Sequence, residues 1–258
     1  MKIVRSIADL EPSGEVGLVP TMGALHDGHR SLLRAARSEN EVVVASLFVN
    51  PAQFGEAADL ATYPRDEERD ARIAAECAVD VLFTPSVEEM YPPGFGTWVD
   101  MDDVGEEEAA RPGHFRGVAT ICLKLFNIVQ PRRAYFGQKD AQQGAVLQRL
   151  VRDLSLPVEI RMLPTVRDTD GLAWSSRNVL LSAEERAEAL ALPRALHAGA
   201  DAFSRGEDPV LAARAQLNGL TPDYVEIVNL DGASVLAAAV RVGSTRLIDN
   251  VLLEGELR

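Results

Sequence analysis

The sequence predicts an α/β chain, a doubly wound parallel sheet followed by a smaller C-terminal α+β domain. Three observations carry that expectation. Short apolar runs alternate with stretches of helical period between residues 14 and 163. The clearest of these runs is near-continuous in Val, Leu and Ala rather than alternating with polar residues, as in strands covered on both faces. After about residue 165 the texture changes to alanine-rich helical stretches and then to strands, which divides the chain into residues 1–168 and 169–258.

In order, residues 14–20 (GEVGLVP), bounded by glycine and proline, read as the first strand. Residues 28–40 place Leu32, Leu33 and Ala36 on one helical face, and residues 41–49 (EVVVASLFV) form a β-branched run, so the three make one βαβ unit. The pattern continues with a helix over 65–78, a strand over 79–83, a helix over 117–129, a strand over 133–136, a helix over 140–153 and a strand over 157–163. Strands alternating with helices of this length imply right-handed crossovers, with ligands at the carboxyl ends of the strands. Residues 166–178, with Asp170-Gly171 as a turn signal, read as a polar connector and a place for a site. Helical stretches over 183–203 and 209–217 and strands over 224–228 and 246–252 follow.

Composition narrows the function classes. At 258 residues, 47% hydrophobic and 25% charged, the chain can bury a large core and is not a disordered one. Its 26 Lys and Arg against 39 Asp and Glu give a net charge of −13, which leaves no general surplus of cations for nucleic acid. That balance is uneven: residues 111–152 carry eight Lys or Arg against a single acidic residue, Asp140, so a site for a small polyanion fits inside an acidic chain. Cys77 and Cys122 lack metal-ligand or redox spacing and read as reduced core thiols. With no secretory leader and no spanning run of about 18 apolar residues, a cytoplasmic protein without membrane partners is expected.

Chemistry concentrates at strand ends. Pro20 to His29 (PTMGALHDGH) contains HxGH where the first strand turns into a helix. A helix start offers unpaired N–H groups and a partial positive charge, and two imidazoles three residues apart there can face one phosphate chain. Residues 46–54 (SLFVNPAQF) end the second strand with Asn50 and Gln53, amides suited to hydroxyl or carbonyl groups, although an ordinary loop with an Asn cap fits that run equally well. Tyr63-Pro64-Arg65 is a turn, and residues 111–118 (RPGHFRGV) form a basic, glycine-punctuated loop. Residues 136–143 (FGQKDAQQ) are a further strand-to-helix turn, with Lys139 placed for a phosphate and Asp140 for a ribose hydroxyl. Residues 170–178 (DGLAWSSRN) add two hydroxyls and a guanidinium.

The predicted Rossmann-like fold and the HxGH tetrad resemble the nucleotidyltransferase superfamily related to class I aminoacyl-tRNA synthetases. The full set of stretches, VPTMGALHDGH, SLFVNPAQF, YPR, RPGHFRGVAT with KLFNIV, FGQKDAQQ and DGLAWSSRN, is very similar to the pantoate–β-alanine ligase family, in its order, from residue 19 to residue 178. One departure is Trp174, where the family usually carries methionine. The resemblance implies an ATP- and Mg²⁺-dependent condensation of pantoate with β-alanine through a pantoyl adenylate, releasing AMP and pyrophosphate. It places His26, His29, Lys139, Ser175, Ser176 and Arg177 on the phosphates. It puts Pro20, Met22, Gly137 and Asp140 beside the nucleotide, with Gly137 and Asp140 on the ribose. Met22, Gln53 and Gln143 would hold pantoate, and Asn50, Tyr63, Arg111 and His114 the β-alanine neighbourhood. Asp70 matches an acidic position near the metal, although on a charge-rich helix a solvated face fits it better. A homodimer is implied by the resemblance alone. His197 reads as structural, and the acidic run 100–108 as a solvated loop.

Two other readings compete. A nucleotidyltransferase acting on a phosphate-bearing acceptor would need further cations beside the acceptor, where this chain offers two glutamines and a methionine. A non-catalytic adenylate sensor or RNA-binding module on the same fold would bind without turnover, and the acidic balance opposes it.

Overall fold

The computed structural model describes residues 1–55, 57–217, 219–230 and 232–256, and the backbone alone for 57–59. In chain order the elements are β1 (Lys2–Val4), β2 (Val16–Thr21), α1 (Asp27–Glu39), β3 (Val42–Leu47), α2 (Ala57–Thr62), α3 (Glu67–Glu76), β4 (Val81–Phe83), α4 (Val87–Met90), α5 (Glu106–Ala110), α6 (His114–Val129), β5 (Arg133–Gly137), α7 (Ala141–Asp153) and β6 (Glu159–Leu163). After these come α8 (Ala183–Ala189), α9 (Ala191–Ser204), α10 (Pro209–Ala215), β7 (Pro222–Leu230), β8 (Ala233–Val242) and β9 (Thr245–Gly255).

The first six strands form one parallel sheet in the order β1-β4-β3-β2-β5-β6. Its strands are apolar throughout because both faces are covered. Val43, Ala45, Val19, Leu82 and Tyr135 pack with Leu33, Ala36, Ile73 and Ala74 of α1 and α3. Their neighbours Val44, Leu18, Phe83, Ala134 and Phe136 pack with Phe115, Val118, Leu125 and Leu147 of α6 and α7. From β2 the chain winds outward through β3 and β4, then returns to place β5 on the other side. The order therefore reverses between β2 and β5, and a crevice opens beyond their carboxyl ends.

The second sheet is the antiparallel meander β7-β8-β9. One face packs on α9 and α10 through Leu192, Leu196, Ala213, Leu236 and Val240. The other packs toward α7 through Tyr224, Val228, Val235, Ala237 and Ala141, which fixes the meander over the parallel sheet.

Most predicted elements are present with ends shifted by a few residues. Strand β1 is a three-residue edge strand, too short for a pattern. Strand β8 also lacks a readable signal: it is alanine-rich and buried on both faces, so it has neither alternation nor a β-branched run. The stretch 183–203 is two helices, broken at Leu190, with Ser182 and Glu185 forming a capping box for α8 and Pro193 in the first turn of α9. The acidic run is a solvated loop only in part: Asp100, Asp102 and Asp103 are exposed outside any helix, whereas the run from Glu106 onward is helical. Glu107 is buried and its carboxylate receives Arg246 at 2.9 and 2.8 Å, while Glu108 accepts the N–H groups of Gly113 and Phe115 at the start of α6. Cys77 and Cys122 are free and buried, as expected. His197 is exposed on α9 and does not line the cavity described below.

One glycine lets two functional segments meet. A Cβ on Gly117 of α6 would lie 2.4 Å from the Ala52 carbonyl oxygen, so helix and loop touch backbone to backbone. Gly117→Ala is expected to destabilise the protein by about 1–3 kcal/mol. That corresponds to a loss of roughly 2–10 °C in Tm, read by thermal circular dichroism; an unchanged Tm would show that the loop yields freely.

Candidate active site

Beyond the carboxyl ends of β2 and β5 lies a cavity of about 1070 Å³, roofed by the connector and the meander. It is lined by Pro20, Met22, His26, His29, Asn50, Gln53, Tyr63, Arg111, His114, Gly137, Lys139, Asp140, Gln143, Ser175, Ser176 and Arg177, so motifs scattered along the chain from residue 20 to residue 177 converge on one space. Asp70 alone of the candidate residues does not line it.

The HxGH turn follows from local chemistry. Leaving β2, the chain passes Gly23 at φ 89° and Ala24 at φ 51°, a left-handed pair that turns it sharply toward α1. His26 is the N-cap of α1: its Nδ1 accepts the Gly28 N–H at 3.1 Å, and His29 Nδ1 accepts the His26 N–H at 3.3 Å. A ring nitrogen that accepts carries no proton, so each neutral imidazole bears its hydrogen on Nε2. Burial, with the nearby His29, Lys139 and Arg69 charges, pulls the His26 pKa down to about 2. Burial and Lys139 pull His29 down to about 4, against the opposing effect of Asp140. At neutral pH the helix start thus presents two uncharged N–H donors.

Asp70 corrects the reading of a solvated face. It is 1% exposed, and its two carboxylate oxygens accept the N–H groups of Ala24 and Leu25 at 2.8 and 2.7 Å. It holds the turn that aims the histidines.

Asn50 is likewise committed inward. Its Nδ2 donates to Gln53 Oε1 at 3.0 Å and to the Gly117 carbonyl at 3.1 Å, while its Oδ1 accepts from Tyr91 Oη at 2.7 Å. This fixes the Gln53 side-chain amide at the cavity wall through its oxygen. His114 has the opposite tautomer to the other pair: Nδ1 donates to the Gln53 carbonyl at 2.9 Å and Nε2 faces Arg111 Nη1 at 3.4 Å. Burial and Arg111 bring the His114 pKa down to about 4. Tyr63 is buried, and Ser176 Oγ lies 3.4 Å from its hydroxyl, linking the turn before α3 to the connector.

The connector is a hairpin. Arg167 pairs with Ala173, the Trp174 N–H donates to the Val166 carbonyl at 3.0 Å, and Gly171 supplies the turn at φ 93°. Arg167 makes a two-pronged contact with Asp249 of β9 at 2.6 and 3.0 Å. The next residue, Asn250, donates to the Gln138 and Lys139 carbonyls at 2.6 and 3.0 Å and accepts from Gln138 Nε2 at 2.8 Å. Two adjacent residues of β9 therefore hold both the Lys139 turn and the Ser175–Arg177 hairpin. Sequence reasoning missed Gln138, Arg167, Asp249 and Asn250; the available signal was an Asp-Asn pair inside the otherwise apolar strand LIDNVLL.

Fold and cavity define a doubly wound α/β protein whose first strand-to-helix turn opens onto a cavity at the switch point of the sheet. Comparison with known proteins makes the class specific. Residues 1–252 match the family model described as pantoate-beta-alanine ligase. The pantothenate synthetase of Moorella thermoacetica is 54% identical over 257 residues, covering 93% of this chain and 91% of that protein. That of Roseiflexus castenholzii is 50% identical, covering 98% of this chain and all of the other. Among solved structures, pantothenate synthetase from Thermus thermophilus superposes with a TM-score of 0.93 at 46% identity, over 98% of this chain and 99% of that one. A pantoate-beta-alanine ligase from Francisella tularensis, complexed with beta-gamma ATP and beta-alanine, gives 0.84 at 37% identity over 99% of both chains. The chain belongs to the pantoate-β-alanine ligase family.

The turn and its histidines can each be tested. Asp70→Asn leaves one buried N–H facing another N–H₂, a cost of about 1–3 kcal/mol, and displaces the turn enough to slow turnover by roughly 10–100-fold. Added Mg²⁺ is expected to restore nothing; recovery at high Mg²⁺ would return Asp70 to the metal. The second test concerns pH. His26, His29 and His114 have folded pKa values below the ordinary value near 6.5, so the unfolded chain binds more protons between about pH 4 and 6.5. Their contribution is complete above that window and is lost as pH falls through it, at up to about 1.4 kcal/mol per pH unit for each histidine. Urea unfolding at pH 7 and pH 5 checks this, and equal stabilities would contradict buried, neutral imidazoles.

Proposed function

We propose that this cavity carries out the ATP-dependent condensation of pantoate with β-alanine to pantothenate in two steps. The pantoate carboxylate attacks the α-phosphorus of ATP, giving pantoyl adenylate and pyrophosphate. The β-alanine amine then attacks the acyl carbon of the mixed anhydride, giving the amide and AMP. The observation that carries this reading is the convergence of an anion-binding helix start, Lys139, Arg177 and an amide-lined wall on one space.

A carboxylate is a weak nucleophile, so the first step depends on in-line placement and on donors aimed where charge builds up on phosphorus and leaving group. His26 and His29 suit that task as neutral N–H donors. They strengthen as charge develops, without a full ion pair to ground-state triphosphate. Lys139 and Arg177 supply the fixed positive charge, and Ser175 and Ser176 add hydroxyls at the hairpin. Gly137 and Asp140 flank the ribose, with Pro20 at the end of β2 beside the nucleotide. Met22 covers the gem-dimethyl group of pantoate while Gln53 and Gln143 bind its hydroxyls, a neutral wall that disfavours a phosphate-bearing acceptor. Arg111 takes the β-alanine carboxylate. His114, Tyr63 and Asn50 shape that end, Asn50 through Gln53.

The described residues do not form a cage for Mg²⁺: no three His, Cys, Asp or Glu converge, and both oxygens of Asp70 are engaged by the turn. The ion is better placed on the phosphates, as is usual for nucleotide sites. Residues 1–168 as the ATP- and pantoate-binding unit, 169–258 as its cover, a homodimer and a cytoplasmic setting complete the proposal. No helix among the described residues is long and apolar enough to cross a membrane.

The test is exchange of labelled pyrophosphate into ATP. It is expected to require pantoate and not β-alanine, and exchange that runs equally well without pantoate would overturn the reading. His29→Ala and Lys139→Ala are each expected to slow adenylation about 100-fold or more with unchanged circular dichroism; retained activity would remove their roles.

A further inference from the structure

Trp174, the departure from the family pattern, stacks on His26: the ring centroids lie 6.0 Å apart with planes 20° from parallel. His26 also meets His29, with centroids 4.1 Å apart and planes tilted by 44°. The indole is held there by the hairpin, through the Trp174 N–H on the Val166 carbonyl and through Arg167, which anchors the hairpin to Asp249 of β9. The half-buried His26 ring therefore has three neighbours: its own helix start through Gly28, His29, and the indole from the connector.

We propose that Trp174 is a positioning residue for adenylyl transfer, fixing the His26 ring and keeping water off its face so that the imidazole stays a neutral donor. This rests on the reading of His26 as a phosphate donor given above. The groups facing His26 are His29 from α1, Lys139 from the turn after β5 and Arg69 from α3, all of which disfavour an imidazolium, and burial acts in the same sense. An imidazolium would also have a proton on Nδ1, where it meets the Gly28 N–H and can no longer cap the helix. Opening the indole side to water weakens the largest of these effects, burial. The ring then takes up a proton at a pH where the native site does not, and the turn loses its cap as it does so. Phenylalanine preserves a flat wall and a leucine of similar bulk does not, so the two variants separate stacking from simple space filling.

Pantoate-dependent pyrophosphate exchange measured from about pH 5 to pH 8 tests the proposal on the full chain. The wild-type rate is expected to show no imidazole limb in that range. Trp174→Ala and Trp174→Leu are expected to lower kcat about tenfold at neutral pH, with KM for ATP changed less, and to add an acid limb between about pH 5 and 6.5. Trp174→Phe is expected to recover the flat profile. NMR of the histidine ring carbons provides a second readout, with His26 titrating in the alanine variant and not in the wild type. Normal kcat and an unaltered profile in both Trp174→Ala and Trp174→Leu would overturn the proposal. Wild-type exchange that does not depend on pantoate would instead overturn the functional reading beneath it, so the two failures are distinct.

Discussion

The buried contact between Arg167 and Asp249, with its neighbour Asn250, is the constraint on which the site depends. Asp249 is 2% exposed, and a carboxylate that deep is costly unless paired and hydrogen-bonded. Arg167 meets it with a two-pronged guanidinium and also reaches the carbonyls of Gly171 and Asn250, so the same group that neutralises the charge ties off the hairpin. Asn250 then binds the backbone of the Lys139 turn. The first segment is a single helical turn between β5 and α7, and the second is a short hairpin closed by the Arg167–Ala173 bridge. Both borrow rigidity from a strand of the second sheet, and the meander is thereby part of the site's frame as well as its cover.

The electrostatics of the cavity divide the same way. Positive charge rests on Lys, Arg and a helix start, while the histidines are kept uncharged by burial and by their neighbours. Each imidazole has one nitrogen committed to the backbone, which sets the tautomer: Nδ1 accepts in His26 and His29 and donates in His114. Two parts of the cavity wall are thus given opposite polarity by the same type of side chain, through nothing more than which backbone group it faces.

Much of this was legible in the sequence because it is local. Continuous apolar runs gave the parallel strands, and glycine and histidine at strand ends gave the turns, since a ligand at a switch point needs close backbone approach there. What was not legible depends on contacts across the fold. Asp70 looks like any charge on an exposed helix until Ala24 and Leu25 supply its partners. Glu107 sits in a run of acids that reads as solvated until Arg246 arrives from β9. Strand β8 carries no period because both of its faces are buried, so burial itself erased the signal.

The clamp from β9 also sets an order of assembly. Gln138 and Asn250 are 112 positions apart, and Arg167 and Asp249 are 82 apart. Closing such loops costs entropy before the contacts reward it, whereas β2, α1 and β3 are neighbours in the chain and can pair early. The parallel sheet can therefore take shape while the Lys139 turn and the hairpin are still unfixed. A chain at that stage has the doubly wound sheet without a finished cavity, and the walls that carry Lys139 and Ser175–Arg177 are set only with the docking of the last strand.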